Sequence, residues 1–284
     1  MRTINLLRAG TGLGAIVGVS LAASAAAATT LNITVINTQE PGGLSATPVF
    51  TAIHDSSYDA FDAGSAASAN LEALAETGAT GGLAADALAA DADATTTVFA
   101  SPAGPPPVQP GESVSQIVDI TATEALFLSF LAMVLPSNDT FVGNDDPLAF
   151  QLFNDAGEFL GDRVFTITGT SIYDAGTEVN GLTGSAFVAG QDISLGDPEG
   201  GVVGPGQSLA AFAGATLATG DILGDADLID FTSRPSAFSY LTISVTEIAP
   251  VPLPATALLM LSGLGLAGFG LRRTRRRGKA AQAG

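Results

Sequence analysis

The 284 residues contain no cysteine, no tryptophan and one histidine, which excludes disulfide stapling, thiol nucleophiles and the usual zinc ligand sets. Arg2 and Arg8 at the front and six basic residues near the end leave only Arg163 and Arg234 in the body, against all 28 acidic residues, a formal charge of −26. Such a body excludes nucleic acid and anionic membranes as partners, since both are polyanions, and favours cations that relieve its self-repulsion.

The chain begins with two arginines, followed by an uncharged run from Ala9 to Ala28 that ends "VGVSLAASAAAA". A basic start, an apolar stretch and small residues at Ala26 and Ala28 predict a secretory signal peptide over 1–28, cut by signal peptidase near Ala28–Thr29. The body, 29–250, opens with "TLNITVIN" (30–37), alternating and β-branched, which predicts a strand. "PVFTAI" (48–53) predicts a second, and "SSYDAFDAG" (56–64) a turn or short helix. Leu71, Leu74, Leu83 and Leu88 among alanines predict two short helices, broken at Gly78 and Gly81–Gly82. "TTTVFA" (95–100) reads as a strand, and the proline-rich run after it as a connection, since Pro105–Pro107 cannot sit inside a sheet.

Further strands are expected at "SVSQIVDITA", "EALFLSFLAMVL" (124–135), "LAFQLFN", "DRVFTITGT", "QSLAAFAGA" and "AFSYLTISVTEI". The continuously apolar 124–135 fits a strand buried on both faces. A buried helix shares that pattern, and its Phe and Val content favours the strand. The expected fold class is all-β, an antiparallel β-sandwich with a small helical insertion near 66–91. The tail, 251–284, is uncharged from Ala255 to Leu271; with Val251–Pro254 it is long enough to cross a bilayer. Arg272, Arg273, Arg275, Arg276, Arg277 and Lys279 follow, which would hold that end in the cytoplasm and the body outside the inner membrane.

Enzyme chemistry finds little footing. His54 lies beside Asp55 and Ser56, but adjacency in sequence is not a triad, and the simpler reading is a histidine that ends a strand and bonds a loop. A carboxylate pair for glycoside cleavage is open among 28 acids, although the missing Trp and few Tyr leave little to stack on a sugar. Hard-cation binding is better supported, because calcium takes oxygen ligands and three loops are acidic. They are "PSNDTFVGNDDP" with Asn138, Asp139, Asn144, Asp145 and Asp146, "YDAGTE" with Asp174 and Glu178, and "GDILGDADLID" with Asp221, Asp225, Asp227 and Asp230. Each taken singly also suits a solvated turn.

In order, "AIHDSSYDAFDAGSAASANLEALAETGATGGL", "LAMVLPSNDTFVGNDD" and "SIYDAGTEVN" resemble the spondin N-terminal domain family over roughly residues 31–200. The resemblance implies an antiparallel β-sandwich and a calcium ion held between loops. It places the metal carboxylates at Asp139, Asp174 and Glu178; the last departs from the Asp typical of the animal proteins. "VPLPATALLMLSGLGLAGFGLRRTRRR" resembles a VPLPA-type PEP-CTERM sorting signal, which implies recognition at Val251, Pro252, Leu253, Pro254 and Ala255 by an exosortase. The expectation is thus a non-enzymatic, calcium-binding protein of the cell surface or extracellular matrix of a Gram-negative envelope, adhesive or structural. It would touch the inner membrane transiently through the tail. A secreted carboxylate- or metal-dependent hydrolase and a structural surface protein without metal are the alternatives.

Overall fold

The computed structural model describes residues 28–102 and 107–249. The expected signal peptide up to residue 27 and the whole expected sorting tail lie outside those residues. Among the described residues there are twelve strands: β1 (Thr29–Asn37), β2 (Ser45–Ala46), β3 (Val49–His54), β4 (Thr95–Phe99), β5 (Ser113–Ile120), β6 (Leu126–Leu135), β7 (Thr140–Gly143), β8 (Gln151–Phe153), β9 (Arg163–Thr168), β10 (Ile172–Asp174), β11 (Gly204–Pro205) and β12 (Ser239–Glu247). Three α-helices accompany them: α1 (Ala69–Thr77), α2 (Gly81–Ala90) and α3 (Ala226–Ile229). The strands form two antiparallel sheets, one ordered β5-β1-β12-β9 and a larger one ordered β11-β10-β7-β6-β3-β4, with β2 and β8 also paired to β6. No helix among the described residues is long and apolar enough to cross a membrane.

The layers follow from side-chain alternation. In β1, Leu31, Ile33 and Val35 are buried while Asn32, Thr34 and Ile36 are half-buried on the outer face. The inward set joins Ile243 and Val245 of β12 and Val114 of β5, and meets Leu128, Phe130 and Val134 of β6 in one core between the sheets. The opposite face of the larger sheet is covered as well. Phe50, Ala52, Leu131 and Phe141 pack against Leu71, Leu74, Leu83 and Ala87 of α1 and α2. β6 is therefore apolar at nearly every position because both of its faces are dry.

Local chemistry fixes the helical layer. Ser68 caps α1 by accepting the Leu71 N–H at 3.1 Å. Gly78 ends it at φ +73°, where a Cβ would lie 2.6 Å from the Thr47 side chain. Two expectations fail here. Gly81–Gly82 open α2 instead of breaking it. Residues 207–215 form a 3₁₀ turn at Ala210–Phe212, not a strand, because buried Leu209 and Phe212 stand three apart and face one core. The 56–64 segment is a turn, as one of its two readings required.

Buried polar groups pin the crossings. The Asn37 Nδ2 donates to the Leu44 and Val108 carbonyls at 2.9 and 3.0 Å, and the Tyr240 hydroxyl donates to the Ser45 carbonyl at 2.7 Å. Each satisfies groups that would be costly to leave unpaired in the core.

Candidate metal centre

The stretch Ser137–Thr140 turns β6 into β7 after a cis Leu135–Pro136 peptide. Ser137 Oγ donates to the Val134 carbonyl at 2.7 Å and accepts the Thr140 N–H at 3.1 Å. This turn delivers Asp139, fully buried, beside the end of β10, since β7 and β10 pair with Thr140 opposite Asp174. The sequence reading had both segments as loops; two short strands instead set their register.

Asp139 and Asp174 meet through one side chain. Asn180 Nδ2 donates to Asp174 Oδ2 at 2.7 Å and to Asp139 Oδ1 at 3.3 Å. The other oxygens are held by backbone. Asp139 Oδ2 accepts the Thr177 and Glu178 N–H groups at 2.8 and 3.0 Å, and Asp174 Oδ1 accepts that of Gly176 at 2.9 Å. Gly176 sits at φ +68°, and a Cβ there would stand 2.7 Å from the Val202 backbone. The turn is thus glycine-dependent twice over.

Electrostatics make this an expensive place for two carboxylates. Burial pushes Asp174 up to about 6, the Asp139 charge adds to the rise, and hydrogen bonds from Gly176 and Asn180 oppose it. Burial also raises Asp139, against the backbone donors that lower it. Glu199 acts on both as a further like charge.

Glu178 stands differently. Its N–H serves Asp139, but its carboxylate lies where a Cβ on Gly196 would fall, and Oε2 is buried without a hydrogen-bond partner. Burial raises this carboxyl too, a hydrogen bond from the Asn138 side chain opposes the rise, and the charges of Asp139 and Glu72 add to it. Among the described residues, no group of three His, Cys, Asp or Glu side chains is arranged to hold a metal ion. The structure therefore brings Asp139 and Asp174 together and sets the Glu178 carboxylate apart, with one unsatisfied oxygen.

Does this donor set fit a cation? The available atoms are carboxylate, amide and carbonyl oxygens, which suit calcium and not zinc. The one donor shared by Asp139 and Asp174 is a neutral amide; all four of their carboxylate oxygens accept a hydrogen bond, and the unmet acceptor of the cluster is Glu178 Oε2. By donor chemistry the set would suit a hard divalent ion rather than zinc, with two of the three expected carboxylates brought together. Asn180 and Glu199 were missed by sequence reasoning. Asn180 follows Asp174 by six residues with no spacing rule to flag it, and Glu199 reaches the cluster only because its N–H bonds the Thr177 carbonyl at 2.7 Å.

The other acidic loops do different work. Asp145 Oδ1 accepts the Ala63 N–H at 2.7 Å and Asp146 Oδ1 that of Leu148 at 2.9 Å. Asp230 accepts Thr232 and Ser208 hydroxyls at 2.6 and 3.0 Å. Asp221 borders a cleft of about 290 Å³ near Pro41, Gln109 and Leu223, with no second carboxylate in its lining.

His54 ends β3 and bonds the loop after it, as expected, and it also bonds the core. Its Nε2 is 2.8 Å from Ser129 Oγ on β6, its Nδ1 contacts the Asp55 carbonyl, and its ring packs edge-on to Tyr58. His54 and Ser129 are 0 and 1% exposed, so this pair is sealed from any substrate and burial holds the imidazole neutral.

No curated protein sequence matches the chain. Residues 250–277 match the PEP-CTERM protein-sorting motif. Residues 39–189, more than half of the chain, match the Spondin_N family model and contain the whole cluster from Asp139 to Asn180, so the chain belongs to the spondin N-terminal domain family.

Proposed function

We propose that this protein is an exported, non-enzymatic, calcium-binding spondin domain with an adhesive or structural role at the cell surface or in an extracellular matrix. The observation that carries the reading is the buried Asp139–Asp174 pair, which has a neutral amide and no cationic side chain between its carboxylates. Asp139 and Asp174 would hold the ion, and Glu178 would join them by turning its carboxylate, whose Oε2 is unsatisfied, from Gly196. The ion supplies positive charge, relieving repulsion between the two aspartates and part of the −26 of the body.

Export and surface sorting are supported by the C-terminal motif, with processing by exosortase-type machinery. Val251–Ala255 would be the recognition stretch. Cleavage at Ala28–Thr29 would leave β1 intact, since that strand starts at Thr29. Calorimetric titration with calcium tests the ion. Binding heat and a rise in melting temperature are expected, both lost in Asp174→Ala. Absence of both in the wild-type protein would sink the calcium reading.

A further inference from the structure

Beyond the carboxylate pair, the long segment between β10 and β11 builds a second feature with the end of α1. Thr77, Ser185, Ala186, Phe187, Gln191 and Ile193 line a cleft of about 240 Å³. Its base is apolar, because Ala186 and Phe187 pack on Met133 and Leu135. Phe187 adopts φ +64°, a left-handed conformation unusual for a bulky side chain. Its neighbours hold it there: Ala186 bridges Ser137, Val188 bridges Leu217, and the Phe187 carbonyl accepts the Ala218 N–H at 2.7 Å. The backbone that carries the ring is thus held at the cleft by its own neighbours. Ile193, 45% exposed, lines the same cleft, and Leu195, 60% exposed, follows two residues later on the same 3₁₀ turn.

The lining itself is uncharged, and the charged residues that directly adjoin it along the chain are acidic. Glu76 precedes Thr77 and Asp192 precedes Ile193. The Glu178 carboxylate lies against Gly196, next to Leu195, and the Glu72 charge acts on both Glu76 and Glu178. Neither arginine of the body lines the cleft; Arg163 begins β9, and Arg234 donates to the Asp227 carbonyl.

We propose that this cleft docks a peptide segment of a partner protein that carries an apolar anchor side chain flanked by lysine or arginine. The Phe187 ring, Ala186 and Ile193 would receive the anchor, and the carboxylate rim would set register and speed encounter. A second copy of this chain would bring a like-charged body, and an anionic surface would be repelled. Asp139 and Asp174 take no part, but the Glu178 carboxylate is common to this inference and the calcium reading, so the test is run in chelator, where the outcome for one does not decide the other.

The experiment measures fluorescence anisotropy of a labelled hexapeptide, a central phenylalanine–leucine pair with two lysines on each side, against the full chain in mild detergent. Saturable binding is expected, weakened at least about ten-fold by Ile193→Asp and weakened as salt rises through the screening range. Phe187→Gly removes the ring and accepts the left-handed backbone; because the ring packs on Met133 and Leu135 its melting temperature should fall, and binding, measured well below both melting transitions, should be lost. The double variant Glu76→Gln, Asp192→Asn should flatten the salt dependence. A peptide with glutamates in place of the lysines binding equally well would overturn the proposal. So would an affinity unchanged to within about two-fold in both Ile193→Asp and Phe187→Gly.

Discussion

At Gly176 and Asn180 two uncharged residues decide whether two charged ones can share a pocket. Gly176 supplies the left-handed turn that lets its own N–H, and those of Thr177 and Glu178, point back at the aspartates. In Gly176→Ala the new Cβ meets Val202 backbone, so a loss on the order of 1–3 kcal/mol is expected. At about 2–4 °C per kcal/mol for a domain of this size, thermal unfolding reads it directly. Asn180 is the complementary case, donating to both aspartates. Asn180→Asp replaces that donor with a third carboxylate. Stability in chelator should fall through like-charge repulsion, and the rise in melting temperature on adding calcium should grow. Equal melting temperatures for variant and wild type in chelator would show that the amide bridge carries no weight.

The elements explain why part of this was legible beforehand and part was not. β6 was readable because its unbroken apolar run requires cover on both faces, and the structure supplies the opposing sheet on one and α1 with α2 on the other. Leu74 belongs to that cover and is fully buried. Leu74→Ala should cost about 2–5 kcal/mol, a cavity penalty seen in denaturant midpoints, without altering calcium-binding heat. β7 and β10 were not readable, because strands of four and three residues carry too little periodicity; their pairing with each other is a long-range fact. The carboxylates just before β7 and at the end of β10 were found by motif order, which placed Asp139 with Asp174. The aim of the Glu178 side chain depends on Gly196, nearly twenty residues on, and no local pattern encodes it. The 207–215 stretch, expected as a strand, is a 3₁₀ turn because its buried Leu209 and Phe212 are three apart, a spacing too short to stand out in nine residues.

For the whole molecule, charge links stability to pH in opposite senses with and without the ion. Asp174 titrates at about 6 in the fold against 3.8 ordinarily. A carboxyl raised by folding binds its proton more tightly in the native state, so its contribution is fully favourable below about pH 4 and is lost as pH rises through 6. Asp139, Glu178 and Glu76 are shifted the same way. Asp55, Asp192 and Asp230 are lowered, so their contribution is present at neutral pH and lost in acid; buried His54, also lowered, favours the fold as pH rises toward 6.5. The net profile mixes these terms, but Asp174→Asn isolates one. In chelator the variant and the wild type should be equally stable near pH 4. By pH 7 the variant should be the more stable, by at most about 3 kcal/mol. In saturating calcium the order should reverse at pH 7, because the ion selects the ionised aspartate that the variant lacks. Melting curves of the two proteins at both pH values, with calcium and with chelator, measure that crossover. A variant no more stable than wild type at pH 7 in chelator would mean that the buried charge on Asp174 is not strained, and the argument for a cation at that pair would lose its electrostatic basis.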